Sequence, residues 1–504
     1  MLEFQPEYEV FEGQARTCNT IPVYCSLLSD QLTPVSAFRC LADECDHAFL
    51  LESVIGGEKI ARYSFLSVAP SVRIEARGAQ AVIHEGGQTR TIDDCDPLQA
   101  LEELLAKYQT VHPKGLPRFV GGAVGYAAYD IARLYEKLPE PPPDDRNLPD
   151  LQFGIYDNMV IFDHVRKLVH VVAHASTDGT EPAAAYADAC ARVTSTVEAL
   201  GRIKLDAPRP IVEGPVDAVA YESNFTREDF MKVVDRVKEY IRAGDIFQGV
   251  ISQRLSATTA ADPFDIYRAL RVISPSPFMF FLKTPSVTLV GASPEILCRI
   301  EGRTVTARPL AGTRPRGRNE AEDRGLEMEL LADPKERAEH VMLVDLGRND
   351  LARVCDPETV KVDELMTVER YSHVMHICSS LSGTLAKGKT AFDAIRSVLP
   401  VGTVSGAPKI RAMQIIDEME TVRRGPYAGA VGYIDFAGNM DTCIALRTLV
   451  ITPGENGMSN VYAQVGAGIV ADSAPADEYQ ETLNKAQSML RALHVADAWV
   501  SEEQ

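Results

Sequence analysis

No two of the ten cysteines in this 504-residue sequence stand in a C-x-x-C spacing; they are scattered singly. That excludes a zinc knuckle or a disulfide framework and reads as reduced thiols of a cytoplasmic protein. Tryptophan occurs once, as Trp499. Apolar runs long enough to cross a bilayer are missing, since the best candidate, "NMVIFDHVRKLVHVV", is broken by charge. The opening "MLEFQPEYEVFEGQ" carries acids where a secretory leader has a basic segment and an apolar run. Basic side chains are outnumbered, 51 Lys+Arg against 71 Asp+Glu, for a formal net charge of −20. Such a balance excludes a general binder of nucleic acid or anionic membrane, while small anions remain accessible to a local basic site.

What is present is ordinary for a globular chain, 45% hydrophobic and 24% charged. The length exceeds what one simple core holds. The proline- and glycine-bearing stretch "DAPRPIVEGPVDA" predicts a division into an N-terminal domain over 1–205, a linker over 206–221 and a second domain over 222–504. "EPAAAYADACARVTSTVEALGRI" predicts a helix ending near Gly201. "YDNMVIFDHVRKLVHVVAHAS" predicts two strands around a turn. Thr226 and Asp229 fit a capping box, and Pro408 fits the first turn of a helix. Strands run together and helices come in blocks, which predicts an α+β fold of large, mainly antiparallel sheets flanked by helices.

Charge is unevenly placed. Between Glu301 and Glu320 there is no acid, yet Arg303, Arg308, Arg314, Arg316 and Arg318 crowd together. These predict a basic surface loop or gate. "ADPKERAEHVMLVDLGRND" predicts a helix capped by Asp333, with Glu336 and Glu339 on one face. "SAPADEYQETLNKAQSML" repeats the spacing with Glu478 and Glu481. Solvated helix faces, helped by a Glu481–Lys485 pair, account for both as well as a site for Mg²⁺ does, an ion that takes one or two carboxylates and leaves its other positions to water and substrate. His373 and His376 lack an evident fourth ligand for zinc, which leaves an acid/base or a structural role. "VGTVSGAPKIRAM" lacks the phosphate-loop spacing, and the G-x-G of "QVGAGIV" is weak alone.

The stretches "DIFQGVISQR", "ASPEILCRIEG", "RPLAGTRPRG", "LADPKERAEHVMLVDLGRNDLARV", "VERYSHVMHICSSLSG", "LPVGTVSGAPKIRAM", "GPYAGAVGYIDF", "IALRTLV" and "VGAGIVADSAPADEYQETLNKA" together resemble the chorismate-utilising enzymes, in family order from about residue 222 onward. The resemblance implies substrate contacts at Gly312, Thr313, Tyr427, Arg447, Gly466, Ala467 and Gly468. It implies Mg²⁺ on Glu339 and Glu481 with Glu478 nearby, and catalytic roles for Glu336 as proton donor, His376, Thr403 and Gln248. Relatives making 4-amino-4-deoxychorismate carry a nucleophilic Lys where this chain has Ala311. Water-adding relatives carry a basic Lys where it has Gln248, a neutral amide suited to hydrogen-bonding ammonia.

Both positions place the resemblance among the large (component I) subunits of anthranilate synthases, which open L-tryptophan biosynthesis by aminating chorismate and eliminating pyruvate. "LLESVIGGEKIARYSFL" resembles their feedback motif. It implies a tryptophan site of Glu52 and Ser53 with Pro277, Phe278 and Met279, although Ser274 replaces the usual Asn. No glutaminase segment is evident, so the resemblance implies a separate glutamine amidotransferase partner supplying ammonia, in a pair that can double to a heterotetramer. The alternatives are a 2-amino-2-deoxyisochorismate synthase, a secondary-pathway paralogue and a tryptophan-sensing pseudoenzyme.

Overall fold

A computed structural model of the chain describes residues 2–53, 62–139, 141–204, 209–211, 219–371 and 374–503. Two 12-stranded sheets form its centre, and every pair of named strands is antiparallel. The first sheet runs Thr20–Leu28, Leu168–Ser176, Asn158–Asp163, Tyr63–Val68, Ala48–Glu52, Phe278–Lys283, Thr288–Ser293, Thr448–Pro453, Ser459–Ile469, Gln248–Thr259 and Glu222–Ser223; Gly406–Ala407 adds to Gln248–Thr259. The second runs from Leu310–Pro315 and Val374–Thr384 through Ile296–Glu301, Met440–Ile444, Ala430–Asp435 and Gly122–Ala127 to Gln88–Ile92.

Three apolar clusters explain the layering. Phe49, Ile161, Phe280, Leu289 and Val450 of the first sheet meet Val124, Tyr126, Tyr156, Val431 and Cys443 of the second in one cluster, so the sheets pack face to face. The outer face of the first is covered by the helices Pro34–Ala42, Pro182–Leu200, Pro263–Ile273 and Pro475–Glu503. Pro97–Leu105, Pro334–Ala352 and Ala391–Val398 cover the second. Strands sealed on both faces have no need of a polar side, and Gly122–Ala127 and Leu151–Tyr156 are buried at all six positions. The expected α+β class is therefore observed.

Each sheet draws strands from both before residue 205 and after residue 222, because Ala48–Glu52 pairs with Phe278–Lys283 and Gly122–Ala127 with Ala430–Asp435. The sequence division at 206–221, most of which lies outside the described residues, is thus not a boundary between sheets. The helix Pro182–Leu200 ends against Gly201 as expected. Two local expectations are corrected. Thr226 caps Arg227–Ala243 by accepting from the Asp229 N–H at 3.1 Å, but the Asp229 carboxylate takes the Thr226 hydroxyl (2.8 Å) and Lys232 (2.8 Å) rather than the cap N–H. Pro408 precedes its helix in extended backbone, and the helix begins at Lys409. No helix among the described residues is long and apolar enough to cross a membrane.

Candidate active site

The chain crosses from one sheet to the other twice at nearby points. Pro294 and Glu295 join Thr288–Ser293 to Ile296–Glu301, and Ala445–Arg447 join Met440–Ile444 to Thr448–Pro453. The crossings are tied together, since the Ile444 N–H donates to the Glu295 carbonyl at 3.0 Å and the Ala292 N–H to the Arg447 carbonyl at 3.1 Å. Arg447 adopts φ = +46°, a left-handed backbone that costs a β-carbon-bearing residue about 1–2 kcal/mol. Burial pulls its pKa below the usual arginine value, and among the described residues it has no carboxylate partner.

Beside this crossing the edge of the second sheet presents Gly312, Thr313 and His376. Thr313 pairs with His376 across Leu310–Pro315 and Val374–Thr384, with an irregularity at Gly312, whose φ is +71°. His376 Nδ1 lies 3.0 Å from the Gly312 carbonyl and 3.0 Å from Thr313 Oγ1. A carbonyl only accepts, so Nδ1 carries the proton and Nε2 keeps its lone pair. Burial lowers the His376 pKa, which keeps the ring neutral and basic. His373 lies outside the described residues.

The first sheet supplies the other wall. Gly466, Ala467 and Gly468 stand opposite Ser252, Ile251 and Val250. A methyl group at Gly466 would come within 2.7 Å of Tyr427 Oη, and one at Gly468 within 2.7 Å of Gln248 Nε2. Glycine is therefore required for these side chains to lie on the strand. Tyr427 is buried, with its hydroxyl pKa pushed up to about 12. Gln248 is 3% exposed; its Nε2 donates to Glu339 Oε1 at 3.0 Å, and its buried Oε1 has no hydrogen-bond partner among the described residues.

Both glutamate pairs converge here. Asp333 caps Pro334–Ala352 through the N–H groups of Lys335 (2.9 Å) and Glu336 (3.3 Å), which fixes the face that carries Glu336 and Glu339. Burial raises the Glu339 pKa, Gln248 and Lys335 oppose the rise, and the charges of Glu336 and Glu481 reinforce it. Glu478, on Pro475–Glu503, is raised by burial and by Glu481. Glu481 pairs with Lys485 at 2.7 Å, and Lys485 also donates to the Gly466 carbonyl at 2.9 Å. Among the described residues no cluster of three or more His, Cys, Asp or Glu could hold a metal ion. Two carboxylates within electrostatic range, one of them desolvated, nevertheless suit Mg²⁺, which takes the rest of its coordination from water and substrate.

The arginine-rich stretch is not a gate. Arg314 forks onto Glu329 (2.9 Å), Asp333 (2.9 Å) and Glu336 (3.0 Å). Arg316 pairs with Asp323 at 2.8 Å, Arg308 pairs with Glu369, and Arg303 donates to the Leu385 carbonyl. The acids missing from 302–319 arrive from the helices Glu320–Ala332 and Pro334–Ala352 and the strand Lys361–Arg370, so all but the exposed Arg318 build the fold.

Sequence reasoning missed Glu295. It is 7% exposed, and burial pushes its carboxyl up to about 8, against the opposing Thr403 hydroxyl, the Leu310 N–H and the charge of Lys485. Thr403 is delivered by Gly402–Ser405, whose exit pairs with Gln248 and Gly249. In the stretch that resembles a feedback motif, Glu52 stands opposite Met279 and Phe278 opposite Ser293, while Pro277 and Phe278 line a cavity with Pro294, Arg308 and Tyr371. Ser53 follows Glu52 at the strand end, and residues 54–61 lie outside the described set.

Comparison with known proteins gives the family. The family model described as chorismate binding enzyme matches residues 46–491. Anthranilate synthase component 1 of Acetivibrio thermocellus is 45% identical over 500 residues, 98% of this chain and 99% of the relative. Its namesake from Pseudomonas aeruginosa is 47% identical over 95% of this chain and 96% of its own. The crystal structure of anthranilate synthase component I from Streptococcus pneumoniae superposes with a TM-score of 0.75 at 37% identity, covering 92% of this chain and 99% of that one. A family model spanning most of the sequence and relatives alike over nearly their whole length place the chain among the chorismate-binding enzymes.

Proposed function

We propose that the chain is the large subunit of an anthranilate synthase, aminating chorismate with ammonia and then eliminating pyruvate to give anthranilate, the first committed step of L-tryptophan biosynthesis. The observation that carries this reading is Gln248. Its amide N–H is held by Glu339, so a buried, partner-free carbonyl oxygen is left to accept a hydrogen bond from ammonia. A lysine here would deprotonate water instead; a neutral amide cannot. Ala311 brings no amine, which removes a covalent route through that position.

Arg447 offers a fork to one carboxylate of chorismate, and the backbone of Gly466–Gly468 lines the strand beside it. Mg²⁺ held by Glu339 and Glu481 would draw electrons toward the ring carboxylate. Ammonia adds at C2 as the C4 hydroxyl departs as water, which requires a proton donor. Glu336 is engaged by Arg314, whereas Glu295 holds its proton at neutral pH, so the donor role is assigned to Glu295 rather than Glu336. The buried Thr403 hydroxyl has no hydrogen-bond partner among the described residues, which leaves it to assist the removal of pyruvate. His376 Nε2 then takes the C2 proton of aminodeoxyisochorismate as the C3–oxygen bond breaks, and pyruvate leaves from an aromatic product.

A separate glutamine amidotransferase subunit supplies the ammonia in this reading. L-Tryptophan inhibits through Glu52, Ser53, Pro277, Phe278 and Met279, and the protein works in the cytoplasm. With chorismate, Mg²⁺ and ammonium, the chain alone forms anthranilate, followed by its fluorescence; with glutamine alone it does not. Formation of isochorismate would overturn the assignment of Gln248. His376→Ala accumulates the aminated, unaromatised intermediate, and normal anthranilate output from that variant would remove His376 from the elimination.

A further inference from the structure

Gln248 and Thr403 lie on two segments joined by a very short ladder. Gln248 pairs with Ala407 and Gly249 with Gly406, and the pairing stops there. Gly406 takes φ = +134°, and a β-carbon on it would fall 2.2 Å from the Gln248 carbonyl, an approach only glycine allows. Where the ladder ends, Arg424 continues the connection. Its Nη2 donates to the Val250 carbonyl and its Nη1 to the Val404 carbonyl, each at 2.7 Å. One planar guanidinium thus spans from the strand that carries Gln248 to the turn Gly402–Ser405 that carries Thr403, and its rigid fork fixes their separation. The same group lies over the Tyr427 ring, 5.6 Å from the centroid, and over the Tyr129 ring at 4.7 Å. The fork is itself held. Glu420 accepts from Arg424 Nε at 2.9 Å and from Nη2 at 2.6 Å, and its Oε1 also accepts the Ser252 N–H and hydroxyl, each at 2.8 Å. Arg424 is 2% exposed and Glu420 5%. A buried ion pair is often no more stabilising than apolar side chains of the same volume, so stability alone does not account for this one. What apolar side chains cannot do is hold two carbonyls of different segments at a set distance.

On the reading above, in which Gln248 receives ammonia and Thr403 assists pyruvate removal, we propose that Arg424, clamped by Glu420, is a positioning residue that fixes Gln248 relative to Thr403 and Tyr427. It acts through the Val250 and Val404 carbonyls and the Tyr427 ring. Ammonia then meets the chorismate ring at working distance only while the fork is intact, because small misplacements of reacting groups cost rate steeply.

The test gives the full chain chorismate, Mg²⁺ and ammonium and compares wild type with Arg424→Lys, which keeps the charge and loses the fork. The KM for ammonium rises by about fivefold or more, while calorimetry finds chorismate bound within about threefold of wild-type affinity. A merely structural role lowers the melting temperature and leaves the ammonium KM of the folded protein where it was; that result, or an equal loss for both substrates, overturns the proposal. Ser252→Ala removes one hydrogen bond from Glu420 and decides the matter should Arg424→Lys fail to fold. Its ammonium KM rises by about twofold or more with chorismate affinity unchanged, and a wild-type ammonium KM in that variant overturns the proposal. A wild type that forms no anthranilate from ammonium refutes the functional reading and the proposal together. An active wild type whose ammonium KM neither substitution moves refutes the proposal alone.

Discussion

Arg314 and Arg447 differ in company. Arg314 serves three carboxylates and sits in a stretch crowded with other arginines. Arg447 is alone in its sequence neighbourhood, is half-buried and has no carboxylate partner among the described residues. The carboxylates repeat the contrast. Glu336 is paired with Arg314, whereas Glu295 is buried with its carboxyl pushed up to about 8. Burying a charge is expensive, so a fold that leaves one unpaired keeps it for a ligand. Partner accounting, and not local charge density, separates Arg447 from the arginines that build the fold.

The contrast breaks most visibly at Glu295. Glu295→Gln keeps the shape and removes the transferable proton, so kcat falls roughly 10²–10⁴-fold. The wild-type rate declines as pH rises through about 8, where Glu295 ionises, and the variant loses that alkaline limb; a pH–rate profile checks both. Stability follows the same group. Its folded pKa lies above the unfolded value, so its contribution is complete at acid pH and is lost as pH climbs toward 8. Melting temperatures of wild type and Glu295→Gln therefore separate progressively over that window, with the variant ahead at the alkaline end.

Arg447→Gln comes next. Removing one partner of a desolvated ion pair costs about 2–5 kcal/mol, so kcat/KM for chorismate drops roughly 10²–10³-fold. The smallest effect falls in the crowded stretch. Arg316→Ala loses a partly exposed pair with Asp323, costs about 1 kcal/mol or less in stability and leaves steady-state kinetics within about twofold. A large kinetic loss in Arg316→Ala would erase the distinction.

Local signals carried into the structure where the physics is local. The helix Pro334–Ala352 was legible from Asp333, Pro334 and the periodicity behind them, because caps act over a single turn. The class of fold was legible from strands that come in runs. The spacing of Glu336 and Glu339 put both on one face, but only tertiary packing brings Glu481 within range of them. Glu295 was not legible, since nothing in "ASPEILC" distinguishes a carboxyl buried at a sheet crossing from a solvated turn residue. The arginine cluster was misread for the mirror reason: its acids lie elsewhere in the chain and arrive only on folding. Strand register across Ala48–Glu52 and Phe278–Lys283, which places Glu52 opposite Met279, likewise belongs to pairings that no single segment encodes.

Calorimetric titration of chorismate into wild type, Arg447→Gln and Arg316→Ala, side by side and without ammonia, tests the contrast most directly. The account predicts that binding heat persists in Arg316→Ala and disappears in Arg447→Gln at the same concentrations. Retention of wild-type affinity by Arg447→Gln, or its loss in Arg316→Ala, would contradict it.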